Sequence, residues 1–184
     1  MFLKSVVYVI LFLDMEGLNM IKETKIINDF SKYSTWLNSL EDIDETLCSK
    51  PIIKNKWSVC EIISHIIFWD NHLLYEVIPS VRRGKGMEFP DFDTHNKKAS
   101  DYTKSGISLS KLLKEAKDTR ELLVKELYEL PIETLNNPLT SNGVTHCPHT
   151  GTPYSLIYIV KEFTDLDNHH KGQIIQFLKE NSLD

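Results

Sequence analysis

A chain of 184 residues that is 41% apolar and 26% charged has the size and core-forming content of one globular domain. Its net charge of −5, with Arg82-Arg83-Gly84-Lys85 as the only basic knot, opposes nucleic acid as a partner. The cysteines Cys48, Cys60 and Cys147 are odd in number and unpatterned; they indicate neither a disulfide framework nor a four-thiolate zinc site, and a reducing cytoplasm is the expected home.

The first residues stand apart. Val6–Leu13 is an apolar run behind Lys4, far short of the roughly 20 residues that span a bilayer, and Asp14-Met15-Glu16 offers no small-residue cleavage site. Residues 1–19 read as a peripheral extension ahead of a start at Met15 or Met20, with a segment that packs on the body as the alternative. Residues 20–184 form the domain, and no membrane partner is expected.

From Met20 to Leu40, Ile26, Phe30, Tyr33, Leu37 and Leu40 recur at spacings of three and four, one face of an amphipathic helix. Glu41–Lys56, with Pro51, reads as a connection holding at most a short turn. A second helix opens at Trp57-Ser58, where Ser58 and Glu61 have capping-box spacing, and runs to about Val81. Two of its faces look buried: Ile63, Ile67, Leu74 and Ile78 on one, and Ser58, Glu61, Ile62, His65, Phe68, Trp69, His72 and Glu76 on the other. Ionisable groups beside large aromatics suit the lining of a cavity.

Gly84–Gly106 is polar, contains Pro90 and shows no period, so it reads as a long crossover loop with His95 exposed on it. The third helix starts at Ser108 or Ser110 and presents Leu112, Leu113, Ala116, Leu123, Leu127 and Leu130 to the core before Pro131; its other face, rich in Lys and Glu, faces solvent. Pro131–Gly151 is a connection whose His146-Cys147-Pro148-His149 matches no familiar zinc spacing. The fourth helix is predicted from an N-cap at Thr152, with Pro153 in its first turn, to Leu178. Its core stripe is Leu156, Ile159, Phe163, Leu166, His170, Gln173, Ile174 and Phe177. The fold class is therefore all-α, a four-helix bundle with a long crossover between helices two and three.

A polar pair in an apolar face needs a partner or a job. Bundles build metal sites from side chains that project inward from facing helices, and His65 on helix two and His170 on helix four are the obvious pair. Around the helix, Asp167 lies about 60° from His170 and could reach the same ion, while His169 lies about 100° off and would flank it. His72 shares the face of His65 but sits roughly 10 Å along the helix. Glu61, one turn before His65, could act as ligand or base. Gly172 sits opposite the inward stripe, where close backbone contact with another helix, of this chain or of a second subunit, would explain it. Gln173 could hydrogen-bond a histidine and fix its tautomer.

Trp57-Ser58-Val59 with Glu61 and His65, followed in the last helix by His169-His170-Lys171-Gly172-Gln173-Ile174, resembles the DinB/YfiT-like superfamily of metal-dependent enzymes. The resemblance covers Met20 to the C-terminus in helix order and spacing. It implies a four-helix bundle, frequently a homodimer, with a divalent ion such as nickel or zinc held by three histidines, and in some members transfer of a small thiol. The helix-two ligand falls on His65 and the second helix-four ligand on His170. The first helix-four ligand falls on Leu166, which cannot donate to a metal.

Two functions follow as expectations. In one, His65, His170 and Asp167 bind a divalent ion (nickel, zinc or manganese), His169 and Gln173 support them, and Glu61 and His72 act in catalysis, with a small thiol or another small molecule as substrate. In the other, the loss at Leu166 has left a non-catalytic, dimeric, small-molecule-binding or stress-associated protein.

Overall fold

The structure, a computed structural model, describes residues 21–181; the apolar run Val6–Leu13 lies outside them. Helix α1 covers residues 21–36 and tightens into a 3₁₀ turn at Leu37–Leu40. Its stripe of Ile27, Phe30, Tyr33, Leu37 and Leu40 is buried. A short α2, Glu45–Ser49, is capped by Asp44, which accepts from the Leu47 N–H. Cys48 at its end is joined to Cys60 by a disulfide, with Cα atoms 5.5 Å apart. This corrects the expectation that no cysteines pair: the spacing carries no pattern, but packing brings α2 onto the start of the next helix.

Helix α3, Val59–His72, begins with the expected capping box, in which Ser58 Oγ accepts from the Glu61 N–H while Glu61 accepts from the Ser58 N–H. The chain continues as a π-helical turn at Leu73–Val77 and then as α4, Ile78–Arg82. Pro79 accounts for the widened turn, because it lacks an N–H and its ring crowds the carbonyl four residues earlier.

The crossover is not a loop. Residues 92–103 form α5, Phe92–Thr103, capped by Asp91, which accepts from both the N–H and the hydroxyl of Thr94. Only Ala99 on it is fully buried, so an apolar period is absent from the sequence although the helix packs along α3. Helix α6, Leu109–Tyr128, is capped by Ser108, and a short α7, Ile132–Asn136, follows.

Helix α8, Leu156–Asn181, begins later than predicted. The Thr152 carbonyl accepts from the Cys147 N–H, and Tyr154 exchanges backbone bonds with Leu139 and Thr145, so Thr152–Tyr154 is held in an extended pairing. Ser155 takes the cap instead, accepting from the Tyr158 N–H at 3.3 Å.

The long helices α1, α3 with α4, α6 and α8 make a four-helix bundle, with α5 laid on its flank. No β-strand forms among the described residues. None of the described helices is long and apolar enough to cross a membrane.

The core is in two clusters, one around Phe30, Leu73, Val77, Leu127 and Val160 and the other around Leu37, Ile63, Leu112 and Ile174. Arg120 touches both, its guanidinium carbon 3.7 Å from the Phe30 ring centre and 4.9 Å from that of Tyr33. It is fully buried, donates to Asp70 at 2.7 and 3.0 Å and to Asp167 at 2.7 Å, and so ties α6 to α3 and α8. Arg120 thereby joins the expected apolar stripe on the inward face of α6.

Candidate metal centre

Helices α3 and α8 bring His65 and His170 together. The rings stand edge to face with centres 5.1 Å apart, and only 6% of His65 and 8% of His170 is exposed. Trp57, just ahead of the α3 cap, covers both, its ring 4.8 Å from His65 and 6.2 Å from His170. His65 Nδ1 meets Asn96 Oδ1 on α5 at 2.9 Å, and His170 Nδ1 meets Gln173 Oε1 at 2.9 Å. The second of these is the bond expected of Gln173. His65 Nε2 is buried and has no hydrogen-bond partner.

Burial, followed by the neighbouring His170, pulls the His65 pKa down to about 4. Burial lowers that of His170 as well, opposed by its bond to Gln173. Both rings are therefore neutral near pH 7, which leaves each a lone pair. A buried imidazole nitrogen without a partner is costly in a finished core and is the ordinary state of a ligand awaiting an ion.

The remaining expected residues stand elsewhere. Asp167 does not join the histidines, since its Oδ2 is held by Arg120, whose buried charge requires it. Among the described residues no three His, Cys, Asp or Glu side chains gather to hold an ion. Glu61 is engaged as a cap: Oε2 accepts from the Ser58 N–H at 2.9 Å and Oε1 from the Ser100 hydroxyl at 2.5 Å. Burial raises its pKa, but these bonds outweigh that and hold it below its ordinary value. His72 Nε2 meets the Glu88 carbonyl at 2.8 Å, and its ring lies against Trp69, Phe89 and His95 rather than His65. His169 is exposed, its ring 5.6 Å from that of His170.

Leu166, placed on the core stripe by period, is 39% exposed. His95 is not free in solvent as expected; it packs 4.2 Å from the Trp69 ring. In the loop before α8, Cys147 is buried, and hydroxyl bonds from Tyr158 and Thr150 draw its thiol down to about 6.

A groove of about 910 Å³ opens beside His170 between α8 and the segment before α3, lined by Ile52, Trp57, His169, Gly172, Gln173 and Phe177 among others. A Cβ at Gly172 would meet nothing within 4 Å. Among the described residues no helix packs against that glycine, so the expected close contact is not found there and the residue lines the open groove.

Sequence reading missed Asn96 because α5 carries no apolar period. The signal available was the Asp91-Phe92-Asp93-Thr94 cap after Pro90.

The chain is thus a four-helix bundle protein with two facing, neutral imidazoles set under a tryptophan. The sequence profile of the DinB superfamily matches residues 32–174, most of the chain, and the chain belongs to that family. Among solved structures it is similar to YfiT from Bacillus subtilis, described as a probable metal-dependent hydrolase with an unusual four-helix bundle topology. The TM-score is 0.63 at 15% identity, covering 87% of each chain. That likeness shows the fold. No curated protein matches this sequence.

Proposed function

We propose that this protein is a divalent-metal-dependent enzyme in which His65 and His170 hold the ion, nickel, zinc or manganese, and the groove beside His170 receives a small-molecule substrate. The observation that carries the reading is the buried, unpartnered Nε2 of His65, in a ring whose centre stands 5.1 Å from that of a second neutral imidazole. A divalent ion supplies Lewis acidity and lowers the pKa of a water or thiol bound to it. Trp57 shields the pair from bulk water, Gln173 fixes the His170 ring, and the apolar wall of Ile52, Trp57 and Phe177 receives the substrate body.

Hydrolysis is the reaction favoured by the description of the structural neighbour, and transfer of a small thiol is the one the sequence resemblance adds. A homodimer belongs to this same reading.

The test is to incubate zinc-, nickel- and manganese-loaded protein with ester, amide and thiol-plus-electrophile substrate panels, alongside His65→Ala. Turnover that needs both the ion and His65 supports the proposal. Tight ion binding without turnover on any panel would argue against it.

Leu166 favours the second reading, a small-molecule-binding protein without catalysis, because two imidazoles alone make a sparse donor set. Under that reading, small molecules bind the groove equally well with and without metal.

A further inference from the structure

Asn96 and Trp69 together determine which nitrogen of His65 carries its proton. Trp69 Nε1 donates to Asn96 Oδ1 at 3.2 Å. An indole N–H has no acceptor capacity, so the amide atom that it meets is the oxygen and not the nitrogen. The same oxygen stands 2.9 Å from His65 Nδ1. An oxygen without a hydrogen can only accept, so Nδ1 carries the proton and the lone pair of the neutral ring lies on Nε2. Nε2 is the buried atom left without a partner.

The chain of constraint therefore runs from the Trp69 indole to the Asn96 amide orientation, then to the His65 tautomer, and ends on a free lone pair beside His170. Two residues from the same α3 face, one turn apart, are read by one side chain of α5. This gives a physical role to a helix that adds little apolar burial to the core, with only Ala99 fully buried.

We propose that Asn96 is a positioning residue, locked by Trp69, that holds His65 as the Nδ1–H tautomer so that Nε2 serves as the ligand. The assignment rests on the metal-binding reading above for the use of the lone pair, but not for the tautomer itself. Bonds of this kind raise the basicity of a ligating histidine and fix its ring, and their loss typically costs about 10–100-fold in metal affinity. The Asn96→Asp variant keeps an acceptor for both N–H groups. The Asn96→Leu variant removes it at similar volume, and Trp69→Phe removes the lock alone.

Long-range ¹H–¹⁵N NMR of the metal-free, histidine-labelled protein at pH 8 reads the tautomer, and zinc titration reads the affinity. The expected result is a protonated Nδ1 and a bare Nε2 on His65 in the parent and in Asn96→Asp. In Asn96→Leu the ring should shift toward the Nε2–H tautomer, with zinc binding weaker by about 10–100-fold. Trp69→Phe should fall between them. A parent His65 protonated on Nε2 would overturn the proposal, as would an Asn96→Leu protein whose tautomer and zinc affinity match the parent. If Asn96→Leu fails to fold, the same reading is made on Trp69→Phe, where an unchanged tautomer and affinity overturn the lock. A tautomer that shifts as expected in a protein that binds no zinc in any form upholds the Asn96 assignment and overturns the metal reading.

Discussion

Arg120 Nη1 and Asp167 Oδ2 lie 2.7 Å apart in a buried ion pair, and that bond decides which side chains are left to face His65 and His170. Asp167 is three residues from His170 on α8, close enough by helical geometry to share an ion with it. The guanidinium instead takes it as a counter-charge, together with Asp70. Removing one member of such a network leaves uncompensated charge in the core, which costs about 3–5 kcal/mol, whereas replacing the whole network with apolar groups is often neutral. Arg120→Met is therefore expected to destabilise the protein by about 3–5 kcal/mol in urea unfolding. The triple variant Asp70→Leu, Arg120→Met, Asp167→Leu should recover most of that loss. A single variant within about 0.5 kcal/mol of the parent would show that Arg120 does not hold the bundle as described.

Leu166 stands one turn before His170 and is 39% exposed, so a polar ring is tolerated there and would reach toward the pair. Leu166→His supplies a third imidazole at the position where the family resemblance places one. It is expected to raise zinc affinity by on the order of tenfold or more, measured by competition with a coloured chelator. An affinity unchanged from the parent would mean that position 166 does not face the site.

Protonation of His65 supplies a pH test. Its folded value of about 4 lies below the ordinary value near 6.5. A group depressed in the folded state contributes stability that is complete above its unfolded pKa and is lost as pH falls toward its folded one. The window is therefore between about 6.5 and 4, and about 2 kcal/mol of the contribution should be gone by pH 5. Comparing the metal-free parent with His65→Gln by urea unfolding at pH 7.5 and pH 5 isolates this group, because Asp70, raised by burial to about 6, is common to both proteins. The stability gap between the two should shrink toward pH 5. A gap that is the same at both pH values would contradict a neutral, buried His65.

Gly172 sits inside α8 with open space where a Cβ would project. A helix-interior glycine costs about 1 kcal/mol relative to alanine, and no contact among the described residues offsets that. Gly172→Ala should stabilise the protein by up to about 1 kcal/mol in thermal or urea unfolding. Destabilisation, accompanied by a change in oligomeric state on size exclusion with light scattering, would mean that a second subunit packs against the glycine.

The residues that build the bundle and the pair were largely legible in the sequence. His65 and His170 fall on inward faces, and the Ser58–Glu61 cap and the α3 boundary follow from spacing and chemistry. Two inward polar groups are also legible there. Asp70 lies seven residues after Ile63 and four before Leu74, while Arg120 lies four after Ala116 and three before Leu123. Each is a charge on an apolar stripe and announces a partner across the core. Other features had no local signal. Helix α5 holds its place through polar bonds to α3, such as those from Asn96 and Ser100, rather than through an apolar stripe. The late start of α8 depends on a backbone pairing between residues 145–147 and 152–154, and no single-segment propensity encodes it. Asp167 lies on the side of α8 that suits His170, and nothing within that helix signals that Arg120, on α6, takes its Oδ2.

The measurement that bears most directly on the central claim is isothermal titration of metal-free protein, prepared without an affinity tag, with zinc, nickel and manganese, alongside His65→Ala and His170→Ala. The account predicts one ion per chain for at least one of these metals in the parent, and loss of that binding in both variants. A parent that binds none of them, or a bound ion that survives the loss of either histidine, would contradict it.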